Sequence, residues 1–545
     1  MKSLPPTFDL LNNYSKNKRT KAYRFLAFVL ILFSHFLVHS QSSDFIYGRL
    51  IDTNSGEGIP FATIIVKDLG KGVISNFHGD FSIPHYIQQQ NDTLLISCIG
   101  YKSKAISLKS LRSQEVNTIM LSVAITELDE VVIKARKKIK SLSPRKLVKR
   151  SIEQIPINYP SSPFSYIAYY REYKMKNDTY FNLNEALIEN LDFGFHTYDQ
   201  RDSKMRLLEY KVDNTFERDP TLDIKYDNVD AKFIPDAHIH PCGGNELTML
   251  MIHDALRNYE HDTYSFVYVL KENFISNHKF KLADIIQIDD GSLYVIDFKS
   301  RKTLSDNKYL AFGQIFINRD TYAIHKLFYS VYNIQEKEKQ LIFNVNVEYA
   351  KKKDLMYLNY ISFNNVFKIP NPKDYAVKEI VYNLDNKGMS ITFNNPNDSI
   401  VTFKRSNYKV KIDDKNVPIK QIIQDSISNR KIQLVLDNVS DFPEIDENDS
   451  TRIKIDFKNL TDIDGRLLND RTYLTYNQYR ELFVQQVQTF GEEKSMSLID
   501  KFLPLKNNKI SEFIEPQEYW MNTPINKKNI NVPIIPNDEK EIPTK

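Results

Sequence analysis

The sequence predicts a mainly β protein: an N-terminal seven-stranded-type β-sandwich, a short linker helix, and a large antiparallel β-rich domain with a few helices. Three observations carry this. Apolar residues make up 41% of the chain and aromatics 12%, enough to build globular cores. Alternating or β-branched runs recur between short turn clusters from Ile46 onward. The 545 residues also exceed the roughly 250–300 that one core holds, so two or more domains are required.

Composition excludes as well as suggests. With 15 glycines the chain is poor in the residue that phosphate-cradling loops need. The net charge of +4 is set by the first forty residues, which hold six basic side chains and one acid. The remainder is close to neutral, so no basic stripe recommends nucleic acid as a partner.

Residues 1–40 read as a signal peptide. Lys16, Lys18, Arg19, Lys21 and Arg24 precede the apolar run Phe25–Phe33, then Phe36-Leu37-Val38 and the small Ser40, with cleavage expected near Ser40–Ser42. An uncleaved N-terminal anchor is the open alternative. No cysteine lies at the cleavage site, which argues against lipid attachment there. No later stretch approaches the ~18 apolar residues of a spanning helix. The mature chain is therefore expected in the periplasm or at the outer membrane.

Residues 44–123 form the expected sandwich. Ile46, Gly48 and Leu50 alternate with Tyr47, Arg49 and Ile51, and Phe61–Val66 is a β-branched strand. Asn54-Ser55-Gly56-Glu57-Gly58, Lys71-Gly72 and Asn76-Phe77-His78-Gly79 supply the turns. Gly48, Asp52, Gly56-Glu57, Ile59-Pro60-Phe61-Ala62, Val66, Gly72, Ser75-Asn76, Gly79 and Phe81, followed by Leu94–Lys102 and Thr118–Leu121, resemble the carboxypeptidase regulatory-like domain, a transthyretin-like sandwich. That resemblance implies a binding fold and not a reaction.

Residues 124–160 are expected to be a linker strand and an amphipathic helix. Leu128, Asp129, Glu130, Val131 and Val132 resemble the segment joining this sandwich to the plug of TonB-dependent outer-membrane receptors. The resemblance implies an envelope protein partner reached by strand addition. No plug and no series of membrane strands follows, so an ordinary linker closing on the sandwich edge stands beside it. Ser143-Pro144 then opens a helix with Leu147, Val148, Ser151, Ile152 and Ile155 on one face and Arg145, Lys146, Lys149 and Arg150 on the other. Such a stripe either packs on a core or lies peripherally on a membrane surface.

Residues 161–370 form the main β-rich domain. Ile155–Phe164 with Tyr169-Tyr170-Arg171-Glu172 resembles the entry to the large domain that follows this sandwich in a group of Gram-negative envelope proteins. The resemblance implies a curved sheet over helices, similar to the half-barrel of periplasmic lipoprotein carriers. The residues agree: Ser292–Phe298 alternates, Phe312–Ile324 is strand, turn, strand, and Leu341–Tyr349 with Leu355–Phe363 is a hairpin. Glu246–Tyr259 reads as the clearest internal helix.

Residues 371–520 add further strands, at Ile380–Leu384, Ser390–Phe393, Ile432–Leu436 and Ile453–Phe457, and a short amphipathic helix at Asn477–Val487. Residues 521–545, rich in Pro, Asn and Lys, read as a disordered tail.

Candidate chemistry is sparse. His238, His240 and Cys242, with His253 and His261, could offer zinc ligands, but Pro241 and two glycines say loop. Asp441, Glu444, Asp446, Glu447 and Asp449, or Asp462 and Asp464, lack calcium-loop spacing. Cys98 and Cys242 are expected to stay unpaired. The zinc motif of the carboxypeptidases requires His-x-x-Glu, which no histidine here provides, and no nucleophile-elbow or P-loop motif occurs. The sequence thus nominates no catalytic, cofactor or metal residue. It reads as a non-enzymatic envelope binding, docking or assembly protein; a periplasmic hydrolase with an acidic site in the large domain is the alternative.

Overall fold

The computed structural model describes residues 45–90, 92–113, 115–124, 142–176, 179–226, 232–235, 242–261, 269–289, 291–301, 308–335, 339–383, 388–437, 452–489, 497–511 and 519–524. Strand content dominates. The expected leader and residues 525–545 lie outside this set.

Among the described residues the sandwich has seven strands: β1 (Phe45–Asp52), β2 (Thr63–Val66), β3 (Lys71–Ile74), β4 (Asp80–Pro84), β5 (Thr93–Ser97), β6 (Lys104–Ser107) and β7 (Val116–Leu121). They form two sheets, ordered β4-β1-β7 and β3-β2-β5-β6. Inward residues of both, including Ile46, Leu50, Ile64, Val73, Phe81 and Leu94, make one core.

The signature residues of this stretch have physical reasons. Gly48 sits opposite Phe81, and a Cβ there would lie 2.2 Å from the Phe81 ring. Asp52 accepts from the Asn54 and Ser55 amides at 2.6 and 2.9 Å and from the Tyr101 hydroxyl at 2.9 Å, tying the first turn to the Gly-Tyr corner. Asn76 accepts from the amides of His78 and Asp80, which builds the turn into β4.

Helix α1 (Pro144–Glu153) follows, with Ser143 as its N-cap residue. Leu147, Val148 and Ile152 are buried in the main core, where α1 packs on the large sheet. Its apolar stripe is thus occupied within the molecule, and the packed alternative holds over the membrane-surface one.

The large sheet contains β8 (Phe164–Lys176), β9 (Thr179–Asp192), β10 (Lys204–Val212), β11 (His278–Ile288), β12 (Gly291–Ser300), β13 (Tyr309–Asn318), β14 (Ile324–Asn333), β15 (Gln340–Lys352) and β16 (Leu355–Pro370). An insert follows, made of β17 (Val377–Asn383), β18 (Gly388–Phe393), β19 (Tyr408–Ile412), β20 (Lys415–Val417), β21 (Ile419–Gln424), β22 (Lys431–Leu436) and β23 (Ile453–Phe457). Strand β24 (Tyr473–Thr489) then returns to the large sheet, which reads β10-β9-β8-β24-β16-β15-β14-β13-β12-β11, antiparallel throughout. The insert has its own core around Tyr375, Ile391, Val410 and Leu434.

Three expectations need correction. Asn477–Val487 is not a helix but the middle of β24. Leu482 and Val484 fill one core while Tyr479 and Phe483 pack on the other face, so the alternation that marks a half-buried strand is absent. The helix expected over Glu246–Tyr259 ends at Ile252, giving α2 (Glu246–Ile252); the Asp254 carboxylate then accepts from the Leu256 and Arg257 amides and starts a separate turn. Of the stretch expected to be a disordered tail, residues 521–524 are described, and Met521 and Asn522 among them are buried.

Among the described residues, no helix is long and apolar enough to cross a membrane. Cys98 and Cys242 are not joined in a disulfide, as expected, and burial pushes each thiol up to about 11.

Candidate functional site

The middle of the ten-stranded sheet, where β9, β8, β24 and β16 run side by side, is covered on both faces, and each face holds a buried polar network there. Period-two alternation assigns the residues. Tyr170, Glu172 and Lys174 of β8 and Arg480 of β24 point toward the helices, whereas Tyr169, Arg171 and Tyr173 point toward the sandwich.

On the helix side, Arg480 is the centre. Its Nε donates to Glu246 Oε2 at 2.6 Å and one Nη to Asn365 Oδ1 at 2.8 Å. Glu246 is the first residue of α2, whose N-terminus is capped by Asn245 accepting from the Thr248 amide. The helix end therefore delivers the carboxylate to the arginine. Against its own burial, Glu246 is held below the usual carboxylate range by Arg480 and Lys232. Beside this pair, Lys174 reaches Asp223 at 2.6 Å, and Glu172 accepts from Tyr170 and Asn184 at 3.0 and 2.8 Å.

Lys232 completes the network in another way. Its Nζ donates to the Leu222 carbonyl at 3.1 Å and lies 4.3 and 4.4 Å from the rings of Tyr226 and Phe367. Burial, with Lys174 and Arg480 adding to it and Glu246 opposing, pushes its ammonium down to about 7.

On the sandwich side, Arg171 pairs with Glu481, its cross-strand neighbour. Arg171 also donates at 3.1 Å to the carbonyl of Asn522, which takes the Tyr169 hydroxyl at 3.1 Å as well. The Asn522 side chain spans to the sandwich: its oxygen accepts from the Ser82 amide at 2.8 Å and its nitrogen donates to the Ile74 carbonyl at 2.6 Å. Next to it Trp520 enters the sandwich core, while Gln485 of β24 donates to the Trp520 carbonyl at 2.9 Å. Phe61 stacks on Tyr360 at 5.1 Å, and Asn359 donates to the Thr63 hydroxyl at 3.0 Å. Residues 519–524 are thus a strap between the two domains.

The residues singled out in the sequence lie elsewhere. Leu128, Asp129, Glu130, Val131 and Val132 fall outside the described residues, as do His238, His240 and the acids from Asp441 to Asp449. His253 is buried, bonds the Met249 carbonyl at 2.7 Å, stacks on Phe363 at 3.8 Å and is pushed down to about 3 by burial. It packs as a neutral ring. Asp462 and Asp464 both pair with Arg466. Among the described residues, no group of three His, Cys, Asp or Glu side chains could hold a metal ion. The residues of both networks carried no sequence signal of their own, because their partners are up to hundreds of positions apart; only the Tyr-Arg-Glu run of β8 drew notice.

A TonB-dependent receptor from Formosa agariphila is 31% identical over 119 residues, which are 22% of this chain and 11% of the receptor. The chain thus spans about a ninth of that relative's length. Among solved structures, a DUF1329 family protein from Desulfovibrio piger and a LolA superfamily protein from Nitrosomonas europaea each align with 41% of this chain and with 87% and 86% of their own, at 10% identity. Their TM-scores of 0.21 and 0.18 are too low for a shared fold to be read from them. Residues 46–133 match the family of the CarboxypepD_reg-like domain, so the sequence signature, the two-sheet architecture and this match agree that the chain carries such a domain at its N-terminal end.

Proposed function

We propose that this chain is a non-enzymatic cell-envelope protein that docks through its CarboxypepD_reg-like sandwich and uses the large β-domain for binding or assembly. The observation that supports this most is how fully the buried charges are engaged. In the two networks Glu246 is held by Arg480, Glu481 by Arg171 and Glu185 by Tyr169 and Thr523. A hydrolytic pair needs one carboxyl free to move a proton and a second free to attack or activate water. These carboxylates are instead committed to fixing strands, helix and strap. Export and an envelope partner remain the reading of the leader-like N-terminus and of the Leu128–Val132 run.

The test is fractionation of the native envelope, followed by crosslinking and mass spectrometry. Recovery with outer-membrane proteins supports docking. A chain found free and without partners would remove that role.

The hydrolase alternative has one observation in its favour. Asp254 is buried, accepts from the Tyr349 hydroxyl at 2.7 Å, and is pushed up to about 6 by burial. If it serves chemistry, Asp254→Asn abolishes a measurable hydrolytic turnover while leaving the melting temperature near that of the parent. If it only caps the Leu256–Arg257 turn, the substitution lowers stability and no turnover is found in either protein.

A further inference from the structure

Residues 519–524 are held between the sandwich and the large sheet without joining the ladder of either. Side chains hold them instead. Gln485 donates to the Trp520 carbonyl, and Tyr169 and Arg171 donate to the Asn522 carbonyl. Successive residues serve opposite walls. Tyr519 and Met521 pack with Ile167, Tyr169 and Leu187 on the sheet, while Trp520 between them enters the sandwich core at 4% exposure. Asn522 bonds Ser82 and Ile74 of the sandwich, and the Thr523 hydroxyl donates to Glu185 Oε2 at 2.8 Å. The strap is thus read residue by residue through its side chains.

The walls are fixed by contacts that do not include the strap. Arg171 is paired with Glu481, Glu185 accepts from Tyr169, and Lys211 sits 3.3 Å from Glu185 and 2.9 Å from Asp213. Ile74 and Ser82 lie on β3 and β4, which pair with β2 and β1 inside the sandwich. A cleft preset in this way binds a segment without the cost of ordering itself. Vacated, it opens the sandwich core at the place of Trp520, which favours refilling by a segment of like chemistry. Trp520 is the single tryptophan of the chain, so within this protein that chemistry is found again only in the strap of a second copy.

We propose that this cleft is a peptide-recognition site, that Tyr519–Thr523 is its resident ligand, and that the strap of a second copy is the ligand it takes from outside. Exchange needs no new contact, because the same side chains meet the same walls from another chain. Within one chain the tethered strap has an effective concentration on the order of millimolar, so exchange grows with protein concentration. The product is a pair of copies in which each sandwich is clamped to its own sheet by the other copy's strap. This goes beyond the envelope docking proposed above and does not depend on it.

The test mixes two full-length chains under mild oxidation, one carrying Ser82→Cys and the other Asn522→Cys. The Ser82 hydroxyl and the Asn522 amide oxygen are 3.1 Å apart, so a disulfide between the chains marks the strap of one lying in the cleft of the other. Each chain oxidised alone gives the background from Cys98 and Cys242. The expected result is a linked pair above that background, rising with protein concentration and falling at least tenfold when the Asn522→Cys chain also carries Trp520→Ala. No linked pair, although both single variants keep the parent's Trp520 emission, overturns the proposal, and so does a yield that Trp520→Ala leaves unchanged. A second measurement leaves the cleft unaltered: a fluorescein-labelled Tyr519–Pro524 peptide is expected to bind the full chain carrying Asn522→Ala, and the same peptide with Asn522→Ala to bind at least tenfold more weakly. Absent binding, or equal binding of the two peptides, also overturns it.

Discussion

Strands β8 and β24 carry the same arginine–glutamate step on both faces, and the two faces use it differently. In register, Arg171 faces Glu481 on the sandwich side and Glu172 faces Arg480 on the helix side. On the sandwich side the cross-strand pair forms directly, leaving Arg171 a donor for the Asn522 carbonyl. On the helix side Arg480 turns away from Glu172 to Glu246 of α2, and Glu172 settles for Tyr170 and Asn184. Identical local chemistry thus locks a helix within the large domain on one face and clamps a strap between domains on the other. Buried ion pairs contribute little net stability over apolar packing, but breaking one strands a charge, so their placement fixes which arrangement is allowed.

The strongest way to break this comparison is to remove one arginine from each face. Arg480→Met leaves Glu246 buried without its partner and is expected to destabilise the large domain by about 3–5 kcal/mol. Arg171→Met does the same to Glu481 by a similar amount. What distinguishes them is Trp520, the single tryptophan of the chain, buried in the sandwich core on the strap. In native conditions Arg171→Met is expected to red-shift its emission, and Arg480→Met to leave it unchanged until global unfolding. Equal spectra for the two variants would mean that the faces are not separate in function.

A smaller change sharpens the same point. Asn522→Ala removes the bonds to the Ser82 amide and the Ile74 carbonyl and leaves both buried groups unsatisfied, a loss of about 2 kcal/mol. Hydrogen exchange is expected to quicken at β3 and β4 with little change at α2. Protection lost first at α2 would contradict the assignment of Asn522 to the domain clamp.

How much of this was legible depends on the range of the interaction. The sandwich was, because its specifying contacts are close in sequence: Asn76 with His78 and Asp80, Asp52 with Asn54 and Ser55, Gly48 with Phe81. Hairpins β13–β14 and β15–β16 were equally clear, each being alternating strands around a turn. Strand β24 was not, because it inserts between β8 and β16 from a hundred residues beyond β16 and is buried on both faces, which erases its periodicity. The networks were invisible for the same reason. Nothing near Glu246 names Arg480, and nothing near Asn522 names Ser82. The strap was even misread, since Pro and Asn after Trp520 signal a tail by composition, while Asn522 is placed by partners in both domains.

The gentlest test concerns Lys232, which belongs to the helix-side network but lacks an acid within bonding distance among its described contacts. Its folded value of about 7 lies well below the ordinary 10.5 of an unfolded chain. Between these two values the unfolded state holds the proton and the folded state does not, so folding stability rises with pH across that window and is lowest below it. From pH 7 to pH 8 the contribution is about 1 kcal/mol. Lys232→Met is expected to flatten this slope and to raise stability near pH 7, where the native amine is half charged in an apolar cage. Parallel urea titrations of parent and variant at the two pH values measure it. An unchanged slope would mean that Lys232 is paired as firmly as Arg480, and the helix side would then be a closed network like the one that holds the strap.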